Sequence, residues 1–124
     1  MPYEPIAKRN WRAFVESFSR LLVGRQVELE IVGLDLGDQI EAEWLPLRAL
    51  TLGDRTGRLH VRLGGDPAID HAIEAVEIWA ELVGSELRSL VVIDTADHKD
   101  ILRFRAPLEL PSAPNERGKG ASAP

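Results

Sequence analysis

Cysteine is missing from all 124 residues of the chain. Without thiols the protein has no disulfide scaffold, no zinc site with thiolate ligands, no iron–sulfur cluster and no cysteine nucleophile. A chain without cysteine is compatible with a reducing compartment, so we expect a cytoplasmic protein.

Long hydrophobic runs are also missing. No stretch approaches the roughly 18 uninterrupted apolar residues of a membrane span, and no apolar run follows the charges near the N-terminus. We therefore expect neither a signal peptide nor a membrane anchor. The 20 acidic residues outnumber the 15 basic ones, which gives a net charge of −5. This balance argues against a surface devoted to nucleic acid, although a local basic patch is compatible with it.

The common catalytic motifs are absent from the sequence. It contains no H-E-x-x-H zinc pair, and Ser85 does not lie in a G-x-S-x-G turn. The glycines near 53–57 and 64–65 lack the spacing of a phosphate loop or a dinucleotide fingerprint, and are predicted to form turns. We therefore expect no cofactor, no metal and, on balance, no enzymatic activity.

Histidines and aspartates give only weak candidate sites. His71 is interpreted as a structural histidine that orders the turn at 64–75, because no nucleophile is placed beside it. One predicted turn holds a second group: Asp94, Asp97, His98 and Asp100. Their spacing is not that of an EF-hand, so a solvated hairpin turn is favoured over a metal loop.

The clearest element is an amphipathic helix over residues 11–23. Its apolar residues recur at helical spacing: Trp11, Phe14, Val15, Phe18, Leu21 and Leu22. This spacing places them on one face, which predicts packing against a core. Asn10 is predicted to cap the start of the helix with its side chain, and Gly24 to end it in the left-handed conformation.

After the helix the hydrophobic period changes to two, which is typical of half-buried strands. The strands predicted from this period are 26–31, 39–44, 58–63 and 100–105. The mostly apolar segment 87–93 is predicted to be a strand buried on both sides. A hairpin turn is predicted at 33–38. Because Pro46 cannot donate a ladder hydrogen bond, and Leu47 loses the parity of Trp44, we expect a bend or bulge there.

Residues 66–83 fit two structures. Their apolar period favours a helix that starts at Pro67 and stops before Gly84. The alternative is a turn over 66–72 followed by a strand at about 76–83.

The short connections favour an α+β fold, in which the N-terminal helix packs on a bent antiparallel sheet of about six strands. Closure of that sheet into a small barrel is the further possibility. Residues 1–110 are predicted to form one domain. Residues 111–124, rich in Pro, Gly, Ser and Ala, are predicted to be disordered.

One combination of residues extends over nearly the whole predicted domain: Trp11, Phe14, 18–20, Gly24, 27–47, His71, Ile73, Glu81 and 102–104. It resembles an uncharacterised bacterial family, domain of unknown function 5335. The resemblance implies a strand at 77–81, which decides the 66–83 region in favour of strand. The chain departs from the pattern of this family at two places: Val76 stands near where a proline is usual, and residues 97–100 stand where a glycine turn is usual. The family has no assigned activity, so the resemblance implies no functional residue.

Carboxylates collect on the first predicted hairpin. If Ile31 pairs with Ile40, one outer face carries four of them: Glu28, Glu30, Glu41 and Glu43. These could form a hard-cation site or an acid–base pair with one raised pKa. Alternatively, the third strand neutralises them with outward side chains: Arg58, His60 and Arg62. We favour neutralisation because it explains both sets of charges.

The preferred functional hypothesis is a non-enzymatic module that binds a protein partner or a second copy of itself. Trp44 and Trp79 are the candidate anchors for such contacts.

Two alternative hypotheses use charged residues. The first is a nucleic-acid accessory protein that binds through basic residues around the helix: Arg12, Arg20 and Arg25. The second is a small-ligand binder or hydrolase in a barrel mouth, with Glu41, Glu43 and His60 as its polar groups.

Overall fold

A computed structural model describes residues 2–53 and 57–110. The tail 111–124, whose disorder is a prediction, lies outside the described residues. The elements in chain order are β1 (Tyr3–Ile6), a 3-10 turn (Lys8–Asn10), α1 (Trp11–Leu22), β2 (Gln26–Gly33), β3 (Gly37–Leu52), β4 (Arg58–Leu63), β5 (Ile69–Val83), β6 (Glu86–Asp94) and β7 (Lys99–Glu109).

Strands β2 to β7 close into a six-stranded antiparallel barrel, because β7 pairs with both β6 and β2. The long strands β3 and β5 permit this closure. The first half of β3 pairs with β2 and its second half with β4, while β5 pairs first with β4 and then with β6. The expected α+β fold with a bent antiparallel sheet is confirmed, and the sheet is closed.

Alternate side chains of the strands fill the barrel, as the pleat requires. The buried core includes Val27, Leu29, Leu47, Leu50, Leu59, Val61, Leu63, Ile73, Ile78, Ala80, Leu90, Val92, Leu102 and Phe104. Helix α1 packs against β3 and adds the buried side chains of Trp11, Val15 and Leu22. The predicted helical stripe therefore faces the core, except for Leu21, which is 40% exposed.

The predicted ends of the helix are half correct. Gly24 follows α1 with φ +89°, a left-handed conformation that glycine adopts without a Cβ clash. Asn10 makes no side-chain capping hydrogen bond, so its predicted role is wrong. The helix instead continues directly from the 3-10 turn, whose Asn10 N–H donates to the Ala7 carbonyl at 2.8 Å.

Strand β3 contains bulges on both sides of Pro46. Its register with β2 shifts at Glu41 and again before Leu45, and its register with β4 shifts between Leu47 and Ala49. Trp44 takes φ +53°, the left-handed conformation of a bulged residue. The predicted irregularity is therefore present. The extra residues also turn Ile40 outward, where it is 50% exposed although its alternation with polar residues predicted an inward side chain.

Most of the 66–83 region is a strand, β5 (Ile69–Val83), so the helical period of its apolar residues is misleading. The strand already begins at Ile69. Residues 69–72, which were predicted to belong to a turn over 66–72, are therefore part of β5. Strand β1 was not predicted at all. It is four residues long, contains Pro5 and pairs with the second half of β5. A short edge strand with a proline carries almost no alternating signal, because a proline removes one ladder donor.

Within the described part of the chain, no helix has the length and apolar character needed to cross a membrane.

Candidate functional site

The outer surface of β5, β6 and β7 carries a grid of nine side chains, here called the β6 face. Its three cross-strand rows are Glu77, Ile93 and Lys99; Trp79, Val91 and Ile101; and Glu81, Ser89 and Arg103. The side chains between them along each strand, such as Ile78, Leu90 and Leu102, point into the barrel and are buried. The β6 face is therefore the outside of strands whose inside forms the core.

The middle of the β6 face is an apolar concavity. An open hollow of about 430 Å³ is lined by Tyr3, Glu77, Trp79, Val91, Ile93, Lys99 and Ile101. Trp79 is half-buried, and its indole Nε1 donates a hydrogen bond to Glu77 Oε1 at 2.9 Å. This bond fixes the ring at the edge of the hollow while leaving its apolar surface available.

An ion-pair cluster borders the β6 face on β2 and β7. Arg103 Nη1 contacts Glu30 Oε1 and also lies 3.1 Å from Glu28 Oε1. The interaction with the Asp38 carboxyl lowers the pKa of Glu30, and the Arg103 guanidinium lowers it further. The same contact with Glu30 raises the pKa of Asp38. Arg103 thus pairs with two largely covered carboxylates, Glu28 and Glu30, and favours the charged form of Glu30.

The register predicted for the first hairpin is wrong. Glu30 lies opposite Ile40, and Ile31 lies opposite Gln39, because a three-residue loop joins paired Gly33 and Gly37. A shift of one residue exchanges the two faces of a strand. The four predicted carboxylates consequently do not form one site.

The predicted source of the neutralising charge is also wrong. Arg103 of β7 neutralises Glu28 and Glu30, whereas the basic residues of β4 pair with β5. There Arg58 binds Glu74 at 2.5 Å, and Arg62 lies 3.6 Å from Asp70. The barrel closes through β7, and the strand order decides which charges meet.

A second polar group lies where the β2–β3 and β6–β7 turns meet. Asp100 is 2% exposed, and its Oδ1 lies 3.2 Å from His71 Nε2. Its Oδ2 is buried without a hydrogen-bond partner among the described residues. His98 bonds to Asp35 Oδ1 at 2.8 Å, which raises the pKa of His98 and lowers that of Asp35.

The hydrogen bonds of this second polar cluster connect different parts of the sheet. His71 of β5 lies within hydrogen-bond distance of Asp100 of β7, so its partner lies outside the 64–75 turn that it was predicted to order. The Asp94 carboxylate accepts the backbone N–H groups of Ala96 and His98 at 2.9 Å, which folds the β6–β7 turn. Asp100 is closed off from solvent, so no substrate atom reaches it. Among the described residues, no three His, Asp or Glu side chains are placed to hold a metal ion.

We expect the Asp100→Asn variant to be more stable than the wild type at neutral pH. Burial raises the pKa of Asp100, and nearby Asp94 raises it further, against the effect of the His71 hydrogen bond. Because the folded protein holds this proton more tightly than the unfolded chain does, stability is lost as the pH rises through the raised pKa. Asparagine has no carboxyl group to ionise, so the variant does not lose stability in this way.

Urea unfolding over a pH series checks this expectation. The advantage of Asp100→Asn should shrink as the pH falls towards 3.8, the ordinary pKa of aspartate. Asp97→Asn in the same turn is the control, because Asp97 is exposed and its φ of +64° suits asparagine. An Asp100→Asn variant less stable than the wild type at neutral pH would contradict the account.

A family model described as "Family of unknown function (DUF5335)" matches residues 3–113. The chain belongs to this family. An uncharacterised protein of Aquifex aeolicus (strain VF5) is 28% identical over 112 residues, covering 90% of this chain and 99% of the relative. No solved structure matches the chain.

Two departures from the DUF5335 pattern have a structural explanation. Val76 lies where the register of β5 with β6 shifts between Ala75 and Glu77. A bulge is one of the few sheet positions that tolerate proline. Asp97 takes the left-handed conformation, φ +64°, in the β6–β7 turn. The turn therefore has the geometry that a glycine would adopt, which aspartate tolerates better than most residues.

The basic candidates of this DUF5335 protein divide between two hollows. Arg12 and Arg20 lie on the exposed face of α1 and line a concavity of about 300 Å³ with Glu16 and the Leu50 to Leu52 segment. Arg12 also donates a hydrogen bond to the Gly53 carbonyl at 3.3 Å. Arg25 lines a different hollow together with Arg105. Arg25 therefore does not line the hollow that Arg12 and Arg20 share.

The acidic candidates and His60 are not brought together. Glu41 and Glu43 are exposed in the first half of β3. His60 lies opposite Thr51 in the second half of β3. Thr51 is eight residues beyond Glu43, or roughly 25 Å along an extended strand. The three side chains consequently do not converge on one pocket.

Proposed function

We propose that this DUF5335 chain is a cytoplasmic, non-enzymatic protein-interaction module that binds through the β6 face, with Trp79 as the anchor. The observation that carries the proposal is the apolar character of β6 on both of its sides. Leu90 and Val92 face the core, while Val91 and Ile93 face outward and are half-buried. The barrel covers only the inner side, so the outer side is left for a partner.

The chemistry of the β6 face suits protein contacts. An aromatic side chain at the edge of an apolar hollow, with charged side chains around it, has the anatomy of a binding hot spot. Trp44, the other candidate anchor, is engaged differently. Its ring lies 5.7 Å from the Arg105 guanidinium carbon, in a cation–π contact within the chain.

Capture of protein partners from a nuclease-treated host lysate tests the proposal. The tagged wild-type chain is compared with Trp79→Ser, and Trp44→Ser is the matched control. We expect a protein, either a second copy or another chain, that the wild type and Trp44→Ser retain and that Trp79→Ser loses. Melting temperatures confirm that the three chains are folded.

Two results would contradict the proposal. One is the same set of bound proteins for Trp79→Ser and the wild type. The other is binding that disappears with nuclease and with the Arg12→Glu or Arg20→Glu change, because nucleic acid would then be the ligand.

A further inference from the structure

We propose that the partner of the β6 face is a second copy of this chain, bound face to face about a two-fold axis that runs along β6. This inference rests on the proposed function, since it names the occupant of the same surface. It is carried by the arrangement of charge in the grid.

The charges of the β6 face are distributed by strand. Both acidic residues, Glu77 and Glu81, lie on β5, and both basic residues, Lys99 and Arg103, lie on β7. Between them the β6 residues Val91 and Ile93 are uncharged, and so is Ser89, which is 2% exposed and donates a hydrogen bond to Glu81 Oε1 at 2.8 Å. In each row, therefore, the β5 residue is acidic or aromatic and the β7 residue is basic or aliphatic.

A two-fold axis along β6 exchanges the β5 and β7 sides between the two copies. Glu77 then meets Lys99 of the other copy, and Trp79 meets Ile101, while Val91 and Ile93 meet their own equivalents. Such an isologous contact uses the same surface on both subunits. Every charged position in the grid finds the opposite charge, and every apolar position finds an apolar one.

The other face-to-face arrangement is unfavourable. In this arrangement the two-fold axis runs perpendicular to the strands. The β5 side of one copy then faces the β5 side of the other, and the first row of one copy faces the third row of the other. Glu77 would then face Glu81, and Lys99 would face Arg103. Like charges placed opposite each other destabilise a sheet contact. The charge pattern thus selects one of the two symmetric geometries.

The two kinds of charge pair between the copies, Glu77 with Lys99 and Glu81 with Arg103, do not stabilise the dimer equally. Arg103 is already bound to Glu28 and Glu30, so its contact with Glu81 adds little. Lys99 lines the hollow and forms no ion pair with the described carboxylates of its own chain. Glu77 also lines the hollow, and its Oε1 accepts the Trp79 indole N–H. The Glu77–Lys99 pair is therefore the one that fixes the geometry.

The two-fold axis along β6 also agrees with how sheets pack. Twisted sheets stacked face to face keep their strands within about 30° of each other. Two copies related by an axis close to the β6 direction satisfy this condition. One grid is a small surface, so we expect a reversible dimer of micromolar affinity.

Sedimentation velocity of the full chain from micromolar to millimolar concentration tests this dimer. We expect a concentration-dependent monomer–dimer equilibrium. Glu77→Lys and Lys99→Glu should each weaken the dimer by about tenfold, because each change places like charges in two symmetric contacts. Trp79→Ser should weaken it by about a hundredfold.

Mixing the variants gives the sharpest result. Glu77→Lys and Lys99→Glu should associate with each other, since both charge pairs are restored in the mixed dimer, and the double variant should regain the affinity of the wild type. The control mixture is Glu41→Lys with Lys99→Glu, which has the same net charges. Its mixed dimer keeps one Glu77–Lys99 pair and places two glutamates opposite each other in the second contact, so it should associate more weakly than the mixture of Glu77→Lys with Lys99→Glu. Circular dichroism confirms that each variant is folded.

Three outcomes would overturn the dimer: a wild type that is monomeric throughout, single reversals no more harmful than Glu41→Lys, or a mixture that does not associate. A monomeric wild type that still captures another protein in a Trp79-dependent manner overturns the dimer and leaves the proposed function standing. Loss of Trp79-dependent capture as well overturns both.

Discussion

Replacing Trp11 by alanine is expected to destabilise the fold by about 3–5 kcal/mol, the cost of removing a buried aromatic side chain. Trp11 is 3% exposed at the start of α1, and its Nε1 donates a hydrogen bond to the Ile6 carbonyl at 2.9 Å. One side chain thus fixes the helix to the barrel core and to the end of β1. Total stabilities of small domains are about 5–15 kcal/mol, so this loss is large.

Two other variants separate the contributions of Trp11. Trp11→Phe keeps most of the apolar volume and loses the hydrogen bond to Ile6, so we expect a loss of about 1 kcal/mol. Leu21→Ala is the control on the same helix, where Leu21 is 40% exposed, and should cost less than about 1 kcal/mol. Urea unfolding measures all three. A Trp11→Ala chain as stable as Leu21→Ala would show that α1 does not contribute to the core.

Replacing Arg103 by methionine is expected to cost about 2–3 kcal/mol at neutral pH. The variant keeps the length of the side chain but leaves the Glu30 carboxylate, 9% exposed, without its cation. Removing both charges in Arg103→Met/Glu30→Gln should recover most of the loss, because no unpaired charge remains. The control is Arg88→Met, whose partner Glu86 is 42% exposed, and it should cost less than about 0.5 kcal/mol.

The cost of Arg103→Met should depend on pH in a definite direction. The pKa of Glu30 is lowered in the folded protein below its ordinary value of 4.5. The stabilisation by this carboxylate is therefore complete above that value and is lost as the pH falls through the lowered pKa. Urea unfolding should show the wild type and Arg103→Met converging at acidic pH. A difference that grows as the pH falls would contradict the pairing.

The local patterns of the sequence predicted most of the fold. The apolar stripe of α1 and the alternation in β2, β4 and β7 each identified the correct element and, apart from Leu21, the correct inner face. The helical period in 66–83 failed because β5 contains bulges and changes neighbours half-way along its length. A long strand that turns a barrel corner loses the strict period of two that identifies a strand.

The candidate site was predicted less well, because it depends on which strands become neighbours. Trp79 was identified as an anchor, but its neighbours Val91 and Ile101 come from strands 12 and 22 residues away, as the β5–β6 and β6–β7 registers show. The mostly apolar segment 87–93 predicts a strand buried on both sides. Its outer side is in fact half-exposed. An apolar outer side on a strand that the protein's own chain does not cover is the feature of the sequence that could have indicated the β6 face.

The pairing of charges was missed for the same reason. Nothing local to Glu28 or Glu30 indicates that Arg103, more than 70 residues away, will lie beside them. The hairpin register also differs by one residue at the loop, which turns Ile40 outward, and the bulge at Glu41 restores the predicted inner face at Ala42.

The three tryptophans provide the most direct measurement of the β6 face. Trp11 lies in the core, Trp44 lies over Arg105, and Trp79 borders the apolar hollow. In protein labelled with 5-fluorotryptophan, each gives a separate fluorine NMR resonance. Dilution from millimolar to low micromolar concentration should shift the Trp79 resonance and leave the Trp11 and Trp44 resonances in place. A Trp79 resonance that stays constant over the whole range, or a shift of Trp44 instead, would contradict self-association through this face.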